Sequence, residues 1–427
     1  MTSSDRRAYV YLQLPQSMEV VTAGFYELDF PQGLPSGSFV YNPSYLDRRD
    51  AVPLEPYELP LKPQRATTVK LKGIFGALRD ASPDAWGRRI IEKHTGRSDL
   101  TEVDFLLNSP EDRAGALSFG RNRNPPSPVH KFNQIVRLDE LLAAAESFMR
   151  DDGKAKAVMS AQMFDLLQPG TSMGGARPKN VVEDSEGLWL AKFPDPEDKW
   201  NNARVEGAML TLAKACDLHV ARHRIETVAG KDVLLVQRFD REKTGDGYIR
   251  HRMVSGLTAL GAEDSHGDRG KWSYMRLADE LRRRSARPAK DLEELYRRMV
   301  FNALISNIDD HPRNHALIAP TKDWELSLAY DLTPNPLVSL EKRDLAMACG
   351  IYNRYANRAN LLSQHAQFKL SLDSARTIID QMQQVVETQW RTMLLRQGVT
   401  QSDCEKLATA FNYPGFELDP EQVLESY

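Results

Sequence analysis

The densest set of chemically competent side chains lies in Asn307-Ile308-Asp309-Asp310-His311-Pro312-Arg313-Asn314, with a further carboxylate at Asp331. Between Asn314 and Asp331 two short apolar runs, HALIA and ELSLAY, flank a turn containing Pro320 and Lys322, a pattern that predicts a β-hairpin. An antiparallel hairpin returns its exit to its entry, so Asn314 and Asp331 come within reach of one ion. Oxygen ligands of this kind suit a hard cation such as Mg2+. Asp309, on the loop above, is placed to orient a hydroxyl nucleophile or accept its proton. Phosphoryl transfer needs this layout. A lone D-x-x-x-x-N is more often ordinary loop chemistry; the hairpin and its exit carboxylate move the reading to catalysis. His311 fits two roles, polarising a phosphate or holding the loop.

Three further segments fit the same chemistry. In Thr171-Ser172-Met173-Gly174-Gly175-Ala176-Arg177-Pro178-Lys179, the adjacent glycines let backbone N–H groups approach phosphate oxygens, and Arg177 and Lys179 add positive charge. The segment is neither a G-x-x-x-x-G-K-[ST] nor a G-x-G-x-x-G loop, so a plain glycine turn fits it equally. Lys192, in LWLAKFP, falls on one face of a strand with Leu188 and Leu190, where an unpaired ammonium is costly. Glu206, on the following helix, is its nearest candidate partner, and a strand lysine held by a helix glutamate is how kinases present an ammonium to nucleotide phosphates. Gln237-Arg238-Phe239-Asp240, after the strand-like VLLV, fits either a segment whose backbone meets a nucleotide base or an ordinary turn. The cluster Arg282, Arg283, Arg284 and Arg287 reads as a solvated helix end.

The elements that must position these groups follow from periodicity and punctuation. Residues 7–75 read as short alternating β-like runs. Ser82 as cap, Pro83 at the first helical position and Gly96 as stop frame a helix carrying Trp86, Ile90 and Ile91. RNRNPPSPVHK, with adjacent prolines and charged flanks, is the best linker and places a boundary near residue 127. A helix is expected at about 137–150. Strands follow at GLWLAKF, HRIETVA and DVLLVQRF, with a helix from about 202 to 216 whose core stripe is Val205, Met209, Leu212 and Cys216. A long helix over 291–307 keeps Leu292, Leu295, Tyr296, Met299, Ala303 and Leu304 in register, with Arg297 and Arg298 directed to solvent.

Length and charge bound the rest. At 427 residues the chain has room for two or three domains of about 150 residues. Its 56 basic and 59 acidic residues leave a net charge of -3, so bulk electrostatics favours neither DNA nor an anionic membrane. Three separated cysteines, Cys216, Cys349 and Cys404, make no disulfide framework and no C-x-x-C pair. With no disulfide framework and no long apolar run, a reducing cytoplasm is the expected location.

Taken in order and spacing, Ser172 to Lys179, LAKFP, VQRFDR, NIDDHPRNHAL and AYDLTP resemble the HipA family of bacterial serine/threonine kinases, the toxins of type II toxin–antitoxin systems. NSP and DRAGALSF resemble the closing part of that family's small N-terminal domain. The resemblance implies an α+β chain: a β-rich N-terminal domain over 1–127, then a two-lobed protein-kinase-like domain. Its N-lobe would cover 128–250 and its mostly helical C-lobe 251–427. It implies ATP and Mg2+ as cofactors, Asp309 as catalytic aspartate, Asn314 and Asp331 as metal ligands, and His311 as a phosphate neighbour. Lys192 would meet the α/β-phosphates, Val236 to Phe239 would meet adenine, and Asp240 would lie near the ribose. Gly174, Gly175 and Lys179 belong to the phosphate loop, in which Ser172 matches the family's autophosphorylated serine. The implied partner is a HipB-type helix-turn-helix antitoxin that supplies most contact with operator DNA, which agrees with the absence of excess positive charge here. Two alternatives stand beside a protein kinase: an antitoxin-bound co-repressor with silenced catalysis, and a kinase for a lipid or small metabolite, since these residues do not specify the acceptor.

Overall fold

The computed structural model describes residues 6–126, 132–151, 159–167, 175, 177–337, 339–411 and 413–425. The boundary read near residue 127 falls at the edge of 127–131, outside the described residues, as do Ser172 and Gly174.

Strands β1 (Arg7–Gln13), β2 (Val20–Asp29), β3 (Ser36–Tyr41), β4 (Ala66–Thr68) and β5 (Leu117–Gly120) form an antiparallel sheet in the order β4-β3-β2-β1-β5. Alternation along β1 buries Ala8, Val10 and Leu12. A second sheet runs β6-β7-β8-β10-β9, from β6 (Asn133–Gln134), β7 (Lys179–Asp184), β8 (Gly187–Lys192), β9 (His223–Val228) and β10 (Lys231–Gln237). Every neighbouring pair in it is antiparallel except β6 with β7. β11 (Arg241–Thr244) and β12 (Gly247–Arg250) make a ribbon, and β13 (Arg252–Ser255), β14 (Ala316–Ala319) and β15 (Glu325–Leu326) a small third sheet.

Helices supply most of the rest. Asn202–Ala215 is capped by Asn201, whose side chain accepts from the Arg204 N–H, and buries Val205, Met209 and Leu212 with Cys216 just beyond its end. Leu372–Arg396 starts at the Ser371 cap and keeps Ala375, Ile378, Ile379, Met382, Val386, Trp390 and Leu394 on one buried stripe. One apolar core runs from the first sheet into these helices. A second core joins Trp86 and Ile90 to Phe148, Val182, Trp189 and Leu235, so the helix Ala85–Thr95 from the N-terminal region packs on the second sheet. The fold is the mixed α+β arrangement expected, β-rich at the start and helical toward the end.

Two local expectations are corrected. The cap of Ala85–Thr95 is Asp84, whose carboxylate accepts from the Gly87 N–H at 2.9 Å, and Pro83 lies before the cap; Ser82 and Asp84 are both competent caps, and the helix starts two residues later. Gly96 does end it, at φ 66°. Arg298 is not directed to solvent. The helix Pro288–Leu304 is buried nearly all round, and Arg298 is 1% exposed, held by Glu294 at 2.9 Å and by the Ser327 carbonyl. An arginine is tolerated there because a carboxylate and a carbonyl replace its water.

Candidate active site

A cavity of roughly 550 Å3 lies between the second sheet and the helical region. Leu190, Val236, Phe239, Met253 and Ile308 give it apolar walls, while Lys192, Asp309, His311, Asn314 and Asp331 supply polar groups. Apolar walls with a few convergent polar groups are the usual form of a small-molecule site.

Strand β8 ends on Lys192 and delivers its ammonium to two carboxylates, Glu206 at 2.6 Å and Asp331 at 2.8 Å. Glu206 comes from the helix Asn202–Ala215, as the sequence indicated; the second contact, from Asp331, spans 139 positions and was not foreseen. Charges set this cluster's protonation. Burial disfavours the Lys192 ammonium, but Asp331 and Glu206 override it and hold its pKa above the ordinary lysine value. Desolvation also opposes the Asp331 carboxylate, and Lys192, helped by Lys179 and His311, nevertheless brings its pKa down to about 2. Glu206 is buried more deeply, and its pKa stays raised despite Lys192.

The hairpin forms as read. Strand β14 pairs with β15 through Leu317↔Leu326 and Ile318↔Glu325, and the Ser327 N–H donates to the Ala316 carbonyl. It carries Asn314 at its entry and Asp331 beyond its exit to the same cavity. Asp331 sits at φ 60°, a left-handed backbone that aspartate accepts more readily than most residues and that is common at functional sites. The exit segment is fixed from two sides. The Ala329 N–H donates to the His219 carbonyl and the Ala221 N–H to the Ala329 carbonyl, while Arg298 holds Ser327. Glu294, bonded to Arg298, also accepts from the His219 backbone N–H and lies 2.9 Å from its Nδ1.

The loop 309–314 is tied to itself. The Asp309 carbonyl accepts from the His311 N–H at 2.7 Å and from Asn314 Nδ2 at 3.2 Å. This turns Asn314 Oδ1 away from the loop, and that oxygen is buried with no protein partner. Asp310 points the other way, onto the Tyr274 hydroxyl and His315 Nε2, and anchors the loop to the helical region. The Asp309 carboxyl opens at the cavity mouth; desolvation there raises its pKa, His311 opposes that, and the Asp331 and Asp310 charges add to it. A carboxyl adjusted upward suits a proton acceptor working near neutral pH.

The remaining sequence candidates divide. Gln237 and Phe239 line the cavity, and Phe239 packs on Tyr330 with ring centroids 5.7 Å apart. Gly175 and Lys179 also line it. Lys179 is 5% exposed, and its ammonium bonds Asp84 at 2.9 Å and the Gly175 carbonyl at 3.0 Å. Asp240 reaches the cavity wall with its carboxylate bonded to Arg238, Arg241 and the Gly115 N–H. Asp112, Arg238 and the carbonyls of Arg113 and Gly115 extend that buried network into the N-terminal region.

Among the described residues no three His, Cys, Asp or Glu side chains converge as an all-protein metal site. The available donors are the orphaned Asn314 oxygen and the Asp331 carboxylate. Two hard oxygens leave most of an octahedral shell to water and phosphate, which is the way Mg2+ is usually held, so the residues fit that ion.

Known proteins resemble the chain over most of its length. Residues 171–390 match the HipA-like C-terminal domain and residues 29–120 the HipA N-terminal domain. A Sinorhizobium fredii protein named "Putative kinase Y4mE" is 25% identical over 335 residues, covering 71% of this chain and 76% of its own. A Haemophilus influenzae protein named "Putative kinase" is 24% identical over 234 residues, covering 46% of this chain and 67% of its own. A chain in the structure of the Shewanella oneidensis MR-1 toxin–antitoxin system HipA, HipB and its operator DNA superposes with a TM-score of 0.65 at 16% identity. That superposition takes in 98% of this chain and 97% of the other, and shows a shared fold from end to end. With matched domains over both the sheet-rich start and the cavity-bearing remainder, the chain belongs to the HipA family.

Proposed function

We propose that this protein is an ATP- and Mg2+-dependent serine/threonine kinase that acts as the toxin of a toxin–antitoxin pair. The observation that carries the reading is Lys192 held between Glu206 and Asp331 in one cavity with Asp309 and the unpartnered Asn314 oxygen. The apolar slot of Leu190, Val236, Phe239 and Met253 fits a nucleotide base, with Gln237 at its edge. Glu206 keeps Lys192 charged and aimed at the phosphates. Asp309 orients the acceptor hydroxyl and accepts its proton, and His311 lies beside the transferring phosphoryl group. Asn314 and Asp331 would hold Mg2+, which would supply positive charge against the negative charge that builds up during transfer.

Ser172, which precedes β7 in the sequence, is the proposed autophosphorylation site. A phosphate there adds up to about two negative charges where nucleotide phosphates bind, which disfavours nucleotide. A HipB-like antitoxin is the proposed partner, with operator DNA contacted mainly through it; the near-zero net charge and the fold shared with a HipA–HipB–DNA complex support that division. Among the described residues no helix is long and apolar enough to cross a membrane, in keeping with action on a cytoplasmic protein.

Incubation of the purified protein with γ-labelled ATP and Mg2+ tests the reading. Label is expected on the protein itself or on lysate proteins, and the Asp309→Asn variant should transfer none. Equal signal from both proteins, or none from either, overturns the assignment.

A further inference from the structure

We propose that Asp84, in the N-terminal region, is a positioning residue for the nucleotide site: it aims Lys179 as a second phosphate-directed cation, as Glu206 aims Lys192. The inference rests on the kinase reading above and extends it to a residue outside the catalytic domain.

Strands β7 and β8 place Lys179 directly opposite Lys192. Like charges at facing positions destabilise a sheet unless each is compensated. Here each lysine is paired with a carboxylate from the start of a helix or its first turns, Lys192 with Glu206 and Lys179 with Asp84. The Asp84–Lys179 pair is deeply buried, with side chains 4% and 5% exposed. The helix that Asp84 caps grips Lys179 at both ends, because Trp86 Nε1 donates to the Lys179 carbonyl at 3.1 Å. Lys179 also bonds the Gly175 carbonyl and lines the cavity. Two fixed ammonium groups therefore face the volume that a polyphosphate would occupy. A polyphosphate gains from both, whereas an uncharged nucleoside gains from neither.

Titration of the full-length protein with ATP, ADP and adenosine at fixed Mg2+ tests this. Asp84→Asn removes the charge but keeps the cap on Gly87, since asparagine caps as well as aspartate. The expected result is a dissociation constant for ATP and ADP raised about tenfold, as for loss of one charge-assisted contact, with adenosine binding unchanged. Lys179→Gln should give the same pattern, and the double variant should be no weaker than Lys179→Gln alone. Asp84→Asn with wild-type ATP affinity and melting temperature overturns the proposal. Equal weakening of ATP and adenosine overturns it too, because that marks a general packing defect. A wild-type protein that binds adenosine and ATP equally removes phosphate recognition altogether, and one that binds neither overturns the kinase reading itself.

Discussion

Replacing Lys192 by methionine isolates the electrostatics of the cavity. The ammonium stands 2.6 Å from Glu206 and 2.8 Å from Asp331, and at an effective dielectric of about 20 each contact is worth about 6 kcal/mol before desolvation. Without the cation the two carboxylates that met on one nitrogen face each other, and like charges about 5 Å apart repel by about 3 kcal/mol on the same scale. Much of the gross attraction is offset by the cost of taking the lysine out of water, and breaking a buried pair typically costs about 3–5 kcal/mol. Lys192 keeps 18% of its side chain exposed, so the loss should fall near the lower end, about 3 kcal/mol at pH 8. The deficit depends on pH. Glu206 already has a raised pKa from burial, and without Lys192 the folded state raises it further. A carboxyl with a folded pKa above its unfolded value binds more protons when folded. Lys192→Met should therefore fall further below wild type as pH rises from the unfolded carboxylate value through the raised Glu206 value, and the gap should close only as pH falls toward about 2, where wild-type Asp331 itself protonates. Urea denaturation at several pH values, with a Glu206→Gln cycle, measures both quantities. Adding Glu206→Gln to Lys192→Met should recover about 2 kcal/mol by removing one of the two facing charges. An unchanged denaturation midpoint for Lys192→Met at pH 8, or a double variant weaker than either single one, would refute the triad.

Two further outcomes follow from the same cavity. Because the Asp309 carboxyl is raised above its ordinary value, kcat/KM for phosphotransfer should fall as pH drops through that raised value, and a profile flat down to pH 4 would remove Asp309 as the proton acceptor. Asn314→Ala forfeits a hydrogen bond of about 1 kcal/mol to the Asp309 carbonyl and should leave the chain folded; the Mg2+ concentration for half-maximal activity should nevertheless rise about tenfold, and an unaltered metal dependence would exclude Asn314 as a ligand.

Much of the site was legible because its parts are local or joined by a hairpin. Asp309 and Asn314 share one loop, and the runs HALIA and ELSLAY announce the turn that carries Asp331 back. Lys192 on an otherwise apolar strand face signalled its need for a carboxylate, and Glu206 was the nearest one on the next element. The contacts that escaped detection join distant positions. Asp84 is 95 residues from Lys179, and Arg238 is 126 from Asp112, separations over which spacing carries no information. Arg298 misled for a related reason. Its neighbours follow a one-sided apolar stripe, yet a strand segment and His219 cover the opposite face, and Glu294 supplies the compensation that burial requires. Asp240 looked available because nothing in VQRFDR shows that Gly115 and two arginines already engage it.

The network of Asp112, Arg238, Asp240 and Arg241 has a bearing on how the chain is made. Its members carry full charges into a dry interior and are tolerable there only as a complete set. Synthesis runs from the N-terminus, so residues 112–115 have left the ribosome before Arg238 and Asp240 emerge. The later segment meets its counter-charges as soon as it is free to fold. A rearranged gene that translated residues 132–425 first would leave Arg238 without Asp112, and both arginines without the carbonyls of Arg113 and Gly115, during the interval when misassembly is most damaging.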